Sequence, residues 1–96
     1  MTKLNADILK EIYNTPADIS NWVNIGAVPN GSVYLFLVTS NGMQYLCPIY
    51  VNTAPGVRCE CPLYGPTFLA VESQNGYVNA KIYNSPGTLN RIYRIF

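Results

Sequence analysis

The sequence predicts an α+β fold, with one or two short N-terminal helices packed on an antiparallel β-hairpin sheet or small barrel. Apolar residues recur at helical spacing only before residue 26. From residue 28 onward, runs of β-branched and aromatic residues alternate with turn-forming dipeptides. A length of 96 residues is typical of one domain. We therefore expect a single domain over 1–96, with a helical segment over 1–26 and an antiparallel β segment over 28–96.

The first predicted helix depends on three apolar residues that recur four positions apart: Leu4, Ile8 and Ile12. It ends before Pro16, because the residue that precedes a proline avoids the helical region. Thr15 and Pro16 then form a start signal for a second helix, with a hydroxyl at the N-cap and proline at the first helical position. This second helix is expected to end near Gly26.

The strongest β signal is the dipeptide Asn41-Gly42 between two apolar runs, which predicts a hairpin with a type I′ turn. Its strands are expected over 32–40 and 43–51, and Pro48 places the second at a sheet edge or a bulge. The first strand is apolar at nearly every position, so both of its faces should be covered, by the protein's own layers or by another subunit. Val33, Leu35 and Leu37 are the predicted subunit interface.

Further strands are expected over 57–63, 67–73, 77–83 and 89–96. Asn75-Gly76 predicts a second hairpin turn, between the strands over 67–73 and 77–83. Together with the first hairpin, these segments give a sheet of five or six strands.

Charge is scarce and unevenly distributed. Only 11% of the residues are charged, against about 25% in an ordinary soluble domain. No Asp, Glu, Lys or Arg occurs from Ile19 to Val57, and the net charge is +1. A nearly neutral, apolar-rich chain tends to self-associate, so we expect a homo-oligomer.

Several classes of protein are disfavoured by the same composition. High hydrophobicity with few charges argues against disorder. The six Lys and Arg residues form no run or stripe, which argues against a nucleic-acid partner. No apolar stretch is long enough for membrane insertion, and charges at Lys3 and Asp7 interrupt any signal peptide. A cytoplasmic location is expected.

Catalysis and metal binding lack their usual residues. The chain has no histidine, which removes the commonest general base and a common zinc ligand. Its three cysteines, Cys47, Cys59 and Cys61, are an odd number and are expected to be free, mostly buried thiols. No glycine-rich phosphate loop is present. We therefore expect no enzyme activity, no cofactor and no metal site.

The residue types best suited to binding a ligand are the 8 Tyr, the single Trp and the arginines. Trp22, Tyr64 and Tyr77 are predicted near turns or on a short helix, where they are better ligand-binding candidates than tyrosines inside strands. Arg91 and Arg94 are the other ligand-binding candidates. Protection of an edge strand explains these two arginines adequately, and contact with an anion or a partner's carboxylate is the alternative.

The β segment, with stretches such as Pro29-Asn-Gly-Ser-Val-Tyr-Leu-Phe-Leu-Val-Thr-Ser-Asn-Gly42, resembles the fibre and tail-tip domains of tailed phages. The resemblance covers about residues 28–96 and consists of low charge, composition and turn pattern. It implies a viral, virion-associated homo-oligomer, with a trimer favoured, whose distal loops contact a receptor protein or glycan on the host surface. The alternative hypothesis is a small intracellular viral protein that binds and inhibits a host protein or sequesters a small ligand.

Overall fold

A computed structural model describes residues 9–28, 32–51, 56–74 and 77–95, and these residues form strands but no helix. The strands are β1 (Leu9–Tyr13), β2 (Ala17–Asp18), β3 (Val23–Asn24), β4 (Ser32–Ser40), β5 (Met43–Val51), β6 (Arg58–Tyr64), β7 (Thr67–Gln74), β8 (Tyr77–Tyr83) and β9 (Thr88–Ile95). The fold is therefore all-β, and the predicted α+β class is wrong.

The strands form two antiparallel sheets rather than the one sheet of five or six strands that the sequence predicts. Sheet A has the order β1-β9-β4-β5, with β2 also paired to β9. Sheet B has the order β3-β8-β7-β6. The chain passes between the sheets at the β2–β3, β3–β4, β5–β6 and β8–β9 connections, so neither sheet is built from one continuous segment.

The N-terminal segment is extended because its backbone hydrogen bonds go to distant residues. The N–H of Ile19 donates to the carbonyl of Gly87 (3.0 Å), and the N–H of Ile82 donates to the carbonyl of Ile19 (2.8 Å). The N–H of Ile25 donates to the carbonyl of Val78 (3.0 Å). These bonds replace the i to i−4 bonds of a helix, so the helix prediction is wrong over 9–26. Its remaining part, with Leu4 and Ile8, lies outside the described residues.

The first hairpin is confirmed. β4 and β5 pair along their whole length, from Ser32 opposite Val51 to Ser40 opposite Met43. Asn41 and Gly42 both have positive φ, at 52° and 76°, which is the type I′ geometry. Pro48 lies on β5, an edge strand of sheet A, as predicted. The Asn75-Gly76 turn lies outside the described residues.

The two faces of β4 differ in burial. Tyr34, Phe36 and Val38 are fully buried between the sheets. On the other face Val33 is 39% exposed, and Leu35 and Leu37 are half-buried. The protein's own layers therefore cover only one side of this strand, and the other side is left to solvent or to another subunit.

A single core lies between the two sheets. Its largest members come from both inner faces and from the N-terminal segment: Ile19, Ile25, Tyr34, Phe36, Ile49, Leu69, Val71, Val78, Ile82, Leu89 and Ile92. Since the inner faces are used for packing, the two outer faces are the surfaces on which a functional site must be sought.

Candidate functional site

The outer face of sheet B carries a cluster of aromatic and charged side chains. Strand register places Arg58 opposite Glu72, Glu60 opposite Ala70, and Phe68 opposite Tyr83 on this face. Trp22 comes from the loop before β3. We call the following set the aromatic–arginine cluster: Trp22, Arg58, Glu60, Phe68, Glu72, Lys81 and Tyr83.

Arg58 is the centre of the aromatic–arginine cluster. One guanidinium nitrogen lies 3.2 Å from a carboxylate oxygen of Glu60, and the other lies 3.6 Å from one of Glu72. The second nitrogen also donates to the hydroxyl of Tyr83, at 3.4 Å. The Arg58 Cζ atom lies 5.3 Å from the ring centroid of Trp22 and 5.6 Å from that of Tyr83. Both distances are within the range of cation–π attraction.

The rings form a continuous aromatic platform around Tyr83. The Phe68 ring is stacked on Tyr83, with centroids 4.8 Å apart and an interplanar angle of 7°. Trp22 meets Tyr83 edge-on at 6.0 Å, and the Lys81 ammonium lies 4.4 Å from the Tyr83 centroid. Each ring is thereby held by at least one neighbour, while Trp22 remains 38% exposed.

A small residue at the middle of this face leaves room for the cluster. Ala70 is fully buried although it belongs to the outer face, because the longer side chains around it close over it. Two cations, Arg58 and Lys81, are balanced by two carboxylates. The hydrogen bond to Glu60 is the main cause that raises the pKa of Arg58, so the guanidinium stays charged. The cluster therefore presents a pre-ordered aromatic surface with no net charge.

The outer face of sheet A is apolar along β4 and β5. Register pairs Val33 with Tyr50, Leu35 with Pro48, and Leu37 with Leu46 on this face. Leu46 is 54% exposed and Tyr50 is 51% exposed. We call these six residues the apolar face. None of them is charged, which follows from the charge-free sequence between Ile19 and Val57.

On the outer side of sheet A, charge lies where β1 and β2 pair with β9: Glu11 lies on β1, Arg91 lies on β9, and Asp18 lies on β2 opposite Thr88. Arg91 Nε lies 3.5 Å from a Glu11 carboxylate oxygen. A hydrogen bond with Tyr93 is the main cause that raises the pKa of Arg91, and Glu11 adds to it. This ion pair is exposed, so it contributes little to stability.

The five predicted ligand-binding residues do not meet in one site. Trp22 belongs to the aromatic–arginine cluster, and Tyr77 lies on the same face but opposite Gln74, outside the cluster. Tyr64 stacks with Tyr45 at 5.8 Å, and its hydroxyl lies 3.0 Å from that of Ser40. Arg91 lies on the outer side of sheet A, whereas Arg94 is opposite Tyr34 on the other side of that sheet.

The three cysteines lie on the inner faces. Cys47 is buried, and Cys59 and Cys61 are half-buried and pack against the core. Burial, together with the neighbouring Cys61 thiol, raises the pKa of Cys47 well above its usual range. Within the described residues, no group of three or more His, Cys, Asp or Glu side chains is placed to hold a metal ion.

Sequence reasoning missed the central residue of the cluster. The alternation Arg58-Cys-Glu-Cys-Pro62 places Arg58 and Glu60 on one strand face and the cysteines on the other. That pattern was available in the sequence. Which aromatic residues the arginine meets depends on the pairing of β6, β7 and β8 and on the position of Trp22, and no local pattern specifies this.

Comparison of the chain with protein-family models, curated proteins and solved structures finds no match. In the described part of the chain there is no helix with the length and hydropathy needed to cross a bilayer. The geometry of the two outer faces is therefore the basis for a functional proposal.

Proposed function

We propose that the protein is a non-catalytic binding module that self-associates through the apolar face and presents the aromatic–arginine cluster to a partner. The observation that carries this proposal is the contrast between the two outer faces. One carries the uncharged, mostly aliphatic apolar face, and the other carries a fixed array of rings and paired charges.

The outer side of sheet A has about the area of a small specific contact between copies. Its strands β1, β9, β4 and β5 have five, eight, nine and nine residues, and at about 3.3 Å per residue and about 4.8 Å spacing they give roughly 490 Å² per copy. Two such surfaces stacked face to face bury about 980 Å², close to the roughly 1,000 Å² that a biological interface needs.

A second copy suits this surface better than a charged partner. The apolar face meets its own copy without like-charge repulsion, and the Glu11–Arg91 pair on the neighbouring strands adds no net charge. Stacking of faces is favoured over joining of edges, because Pro48 on edge strand β5 has no N–H to offer to a neighbouring strand.

The aromatic–arginine cluster has the composition of a recognition site. Trp, Tyr and Arg are the residues that most often dominate binding energy at interfaces. Here Arg58 holds Trp22 and Tyr83 in place before any partner arrives, which reduces the ordering cost of binding. The balance of charges favours a partner surface that is itself close to neutral.

The resemblance to phage fibre domains suggests a receptor protein or glycan on the host surface as the partner, with a virion-associated chain. A small intracellular viral protein that inhibits a host protein is the alternative. The same cluster serves either partner, because rings and paired charges bind sugar faces as well as uncharged protein surfaces.

Light scattering on the purified chain tests self-association. We expect a mass of two or more copies, and three if the trimer prediction holds. A clean monomer at high protein concentration would contradict the proposed use of the apolar face.

Partner binding is tested with Trp22→Ala, and Tyr77→Ala serves as the matched control. Both side chains are aromatic and similarly exposed, at 38% and 37%, but only Trp22 belongs to the cluster. Each variant is assayed on a glycan array, on intact host-type cells and in a cytosolic pull-down. We expect Trp22→Ala alone to lose the binding that the unaltered chain shows. Equal loss in both variants, or in neither, would contradict the assignment.

A further inference from the structure

An open cleft lies at the end of sheet A where β2, β9 and the β4–β5 hairpin meet. Its volume is about 320 Å³, near the lower end of the roughly 300–1,000 Å³ typical of small-molecule sites. The residues that line it include Asp18, Ser20, Thr39, Asn41, Gly87 and Thr88. We call it the Asp18 cleft.

Strand register brings together the polar side chains that line one wall of the Asp18 cleft. Asp18 pairs with Thr88, and Thr88 pairs with Thr39, so the three residues form a row across β2, β9 and β4. Paired residues of an antiparallel sheet share a face. Asn41, the first residue of the type I′ turn, closes the hairpin end of this row.

The carboxylate of Asp18 is held in a fixed position. One of its oxygens accepts hydrogen bonds from the Ser20 N–H (2.9 Å) and the Ser20 hydroxyl (2.6 Å). The Ser20 hydroxyl oxygen in turn accepts from the N–H of Gly87, at 3.3 Å. The hydrogen bond from the Ser20 hydroxyl is the main cause that lowers the pKa of Asp18, so the group is ionised at neutral pH.

Gly87 lets the turn before β9 approach Ser20 and β4 closely, so that its N–H reaches the Ser20 hydroxyl. A Cβ atom at position 87 would collide with Cδ1 of Ile82 and lie 3.1 Å from the carbonyl oxygen of Thr39. Only glycine leaves these neighbours where they are. The turn therefore approaches β4 closely, and its backbone fixes Ser20 and through it Asp18.

Three polar groups around the cleft are not used by the fold. Among the described residues, the second oxygen of Asp18, the side-chain amide of Asn41 and the hydroxyl of Thr88 make no hydrogen bond. Together they offer an ionised acceptor, an amide that both donates and accepts, and a hydroxyl that does the same. This set matches a ligand that carries several neighbouring hydroxyl groups.

We propose that the Asp18 cleft binds a small polyhydroxylated ligand, such as one sugar residue, through these three groups. An anion is disfavoured, because the single charged residue that lines the cleft is a carboxylate. A calcium ion takes six to eight oxygen ligands, and one carboxylate in an open cleft is a poor start for such a shell. The site is separate from the aromatic–arginine cluster, which lies on the other sheet.

The test is a two-dimensional NMR titration of the ¹⁵N-labelled chain with the methyl glycosides of glucose, galactose and mannose, each up to about 100 mM. We expect at least one of these sugars to shift the amide signals of residues that line the cleft. Asp18→Asn keeps an oxygen that can accept from Ser20 but removes the charge, and should weaken the apparent Kd at least about tenfold. Thr88→Val keeps the shape and should weaken it severalfold.

The controls separate this proposal from the proposed function. Trp22→Ala should leave the sugar titration unchanged even if it abolishes binding of a macromolecular partner. Calcium chloride alone should not shift the same signals. The proposal is overturned if none of the three sugars shifts the cleft signals, if calcium alone reproduces the shifts, or if Asp18→Asn binds as tightly as the unaltered chain.

Discussion

The outer faces of the two sheets are built on the same backbone plan but carry opposite chemistry. On the apolar face, none of the six side chains is charged, and Arg91, opposite Leu37, lies at its border. On sheet B, Arg58 is held by two carboxylates and two rings. Covering the apolar face with another surface is favourable, because it removes apolar side chains from water. The aromatic–arginine cluster is already ordered by internal contacts, and it gains from a partner only at the ring surface that Arg58 leaves exposed.

The comparison teaches that low charge alone does not define a surface. The charge-free segment from Ile19 to Val57 supplies all of the apolar face, but it also supplies Trp22 to the cluster. What separates the two surfaces is the charge on the strands that carry them. Trp22 packs near β6, β7 and β8, which carry the charges, whereas the apolar face lies on β4 and β5, which have none. Arg91 on β9, opposite Leu37, borders the apolar face.

The largest expected effect is on assembly, when a charge is placed in the apolar face. Leu46→Asp alters a side chain that is 54% exposed, so the fold should persist. In an assembly of copies each subunit brings the same charge, and we expect the dissociation constant to rise at least about 100-fold. Analytical ultracentrifugation measures this change, and circular dichroism confirms that the variant is folded.

The control for Leu46→Asp places the same charge on the other sheet. Tyr77→Asp lies on the outer face of sheet B and is 37% exposed. It should leave the assembly intact. Leu37→Asp, at the half-buried centre of the apolar face, should dissociate the assembly as Leu46→Asp does. If Tyr77→Asp and Leu46→Asp dissociate it equally, the two faces do not differ as proposed.

The next effect compares two arginines that form ion pairs, Arg58 on sheet B and Arg91 on sheet A. Arg58→Ala removes two cation–π contacts together with contacts to Glu60 and Glu72, and should lower the free energy of unfolding by about 1 kcal/mol. It should also change the fluorescence of Trp22, the single tryptophan. Arg91→Ala removes an exposed pair with no ring beneath it and should cost less. Urea denaturation of both variants measures the free energy of unfolding. An equal or larger loss in Arg91→Ala would show that the contacts of Arg58 in the aromatic–arginine cluster add no extra stability.

Salts should strengthen the association through the apolar face and weaken the charge contacts of the aromatic–arginine cluster. Sodium sulfate strengthens the burial of apolar surface, so it should raise the assembled fraction. In 1 M sodium chloride the screening length falls to about 3 Å, so the stability difference between Arg58→Ala and the unaltered chain should shrink. Sedimentation and urea denaturation across a salt series measure the two effects. Dissociation of the assembly by sulfate would mean that charges, rather than apolar contacts, hold it.

The sequence predicted the features that depend on neighbouring residues. The Asn41-Gly42 turn, the two strands beside it and the edge position of Pro48 all follow from local turn and proline chemistry, and all are found. The helix prediction failed because Leu4, Ile8 and Ile12 match helical spacing. Farther along the chain, Ala17, Ile19, Val23 and Ile25 match the two-residue period of a strand, and that signal was overlooked.

The candidate sites could be predicted only in part, because they are assembled across strands. Trp22 was identified from its residue type, but Arg58 reaches it only through the pairing of β6, β7 and β8. Asp18 was expected on a helix. Its real neighbour, Thr88, is 70 positions away in the sequence and is brought beside it by β9. Contacts of this kind depend on the topology, and residue pattern does not specify them.

The smallest expected effects concern the three cysteines, which lie on the inner faces of the two sheets. Cys47 belongs to the inner side of sheet A and is 1% exposed, whereas Cys59 and Cys61 on sheet B are half-buried. Burial keeps the Cys47 thiol neutral, and the thiolate is the form that reacts. Iodoacetamide at pH 8 should therefore alkylate Cys47 at least about tenfold more slowly than the other two, as mass spectrometry of peptides would measure.

The raised pKa of Cys47 also predicts the direction of a pH dependence. In the unfolded chain its thiol ionises above about pH 8.5, while in the folded protein it stays protonated to higher pH. The stabilising contribution of Cys47 is therefore complete below that pH and declines as the pH rises above it. Urea denaturation between pH 8 and 10.5 should give a shallower loss of stability for Cys47→Ala than for the unaltered chain. Parallel pH profiles would show that this thiol is not protected by the inner layer.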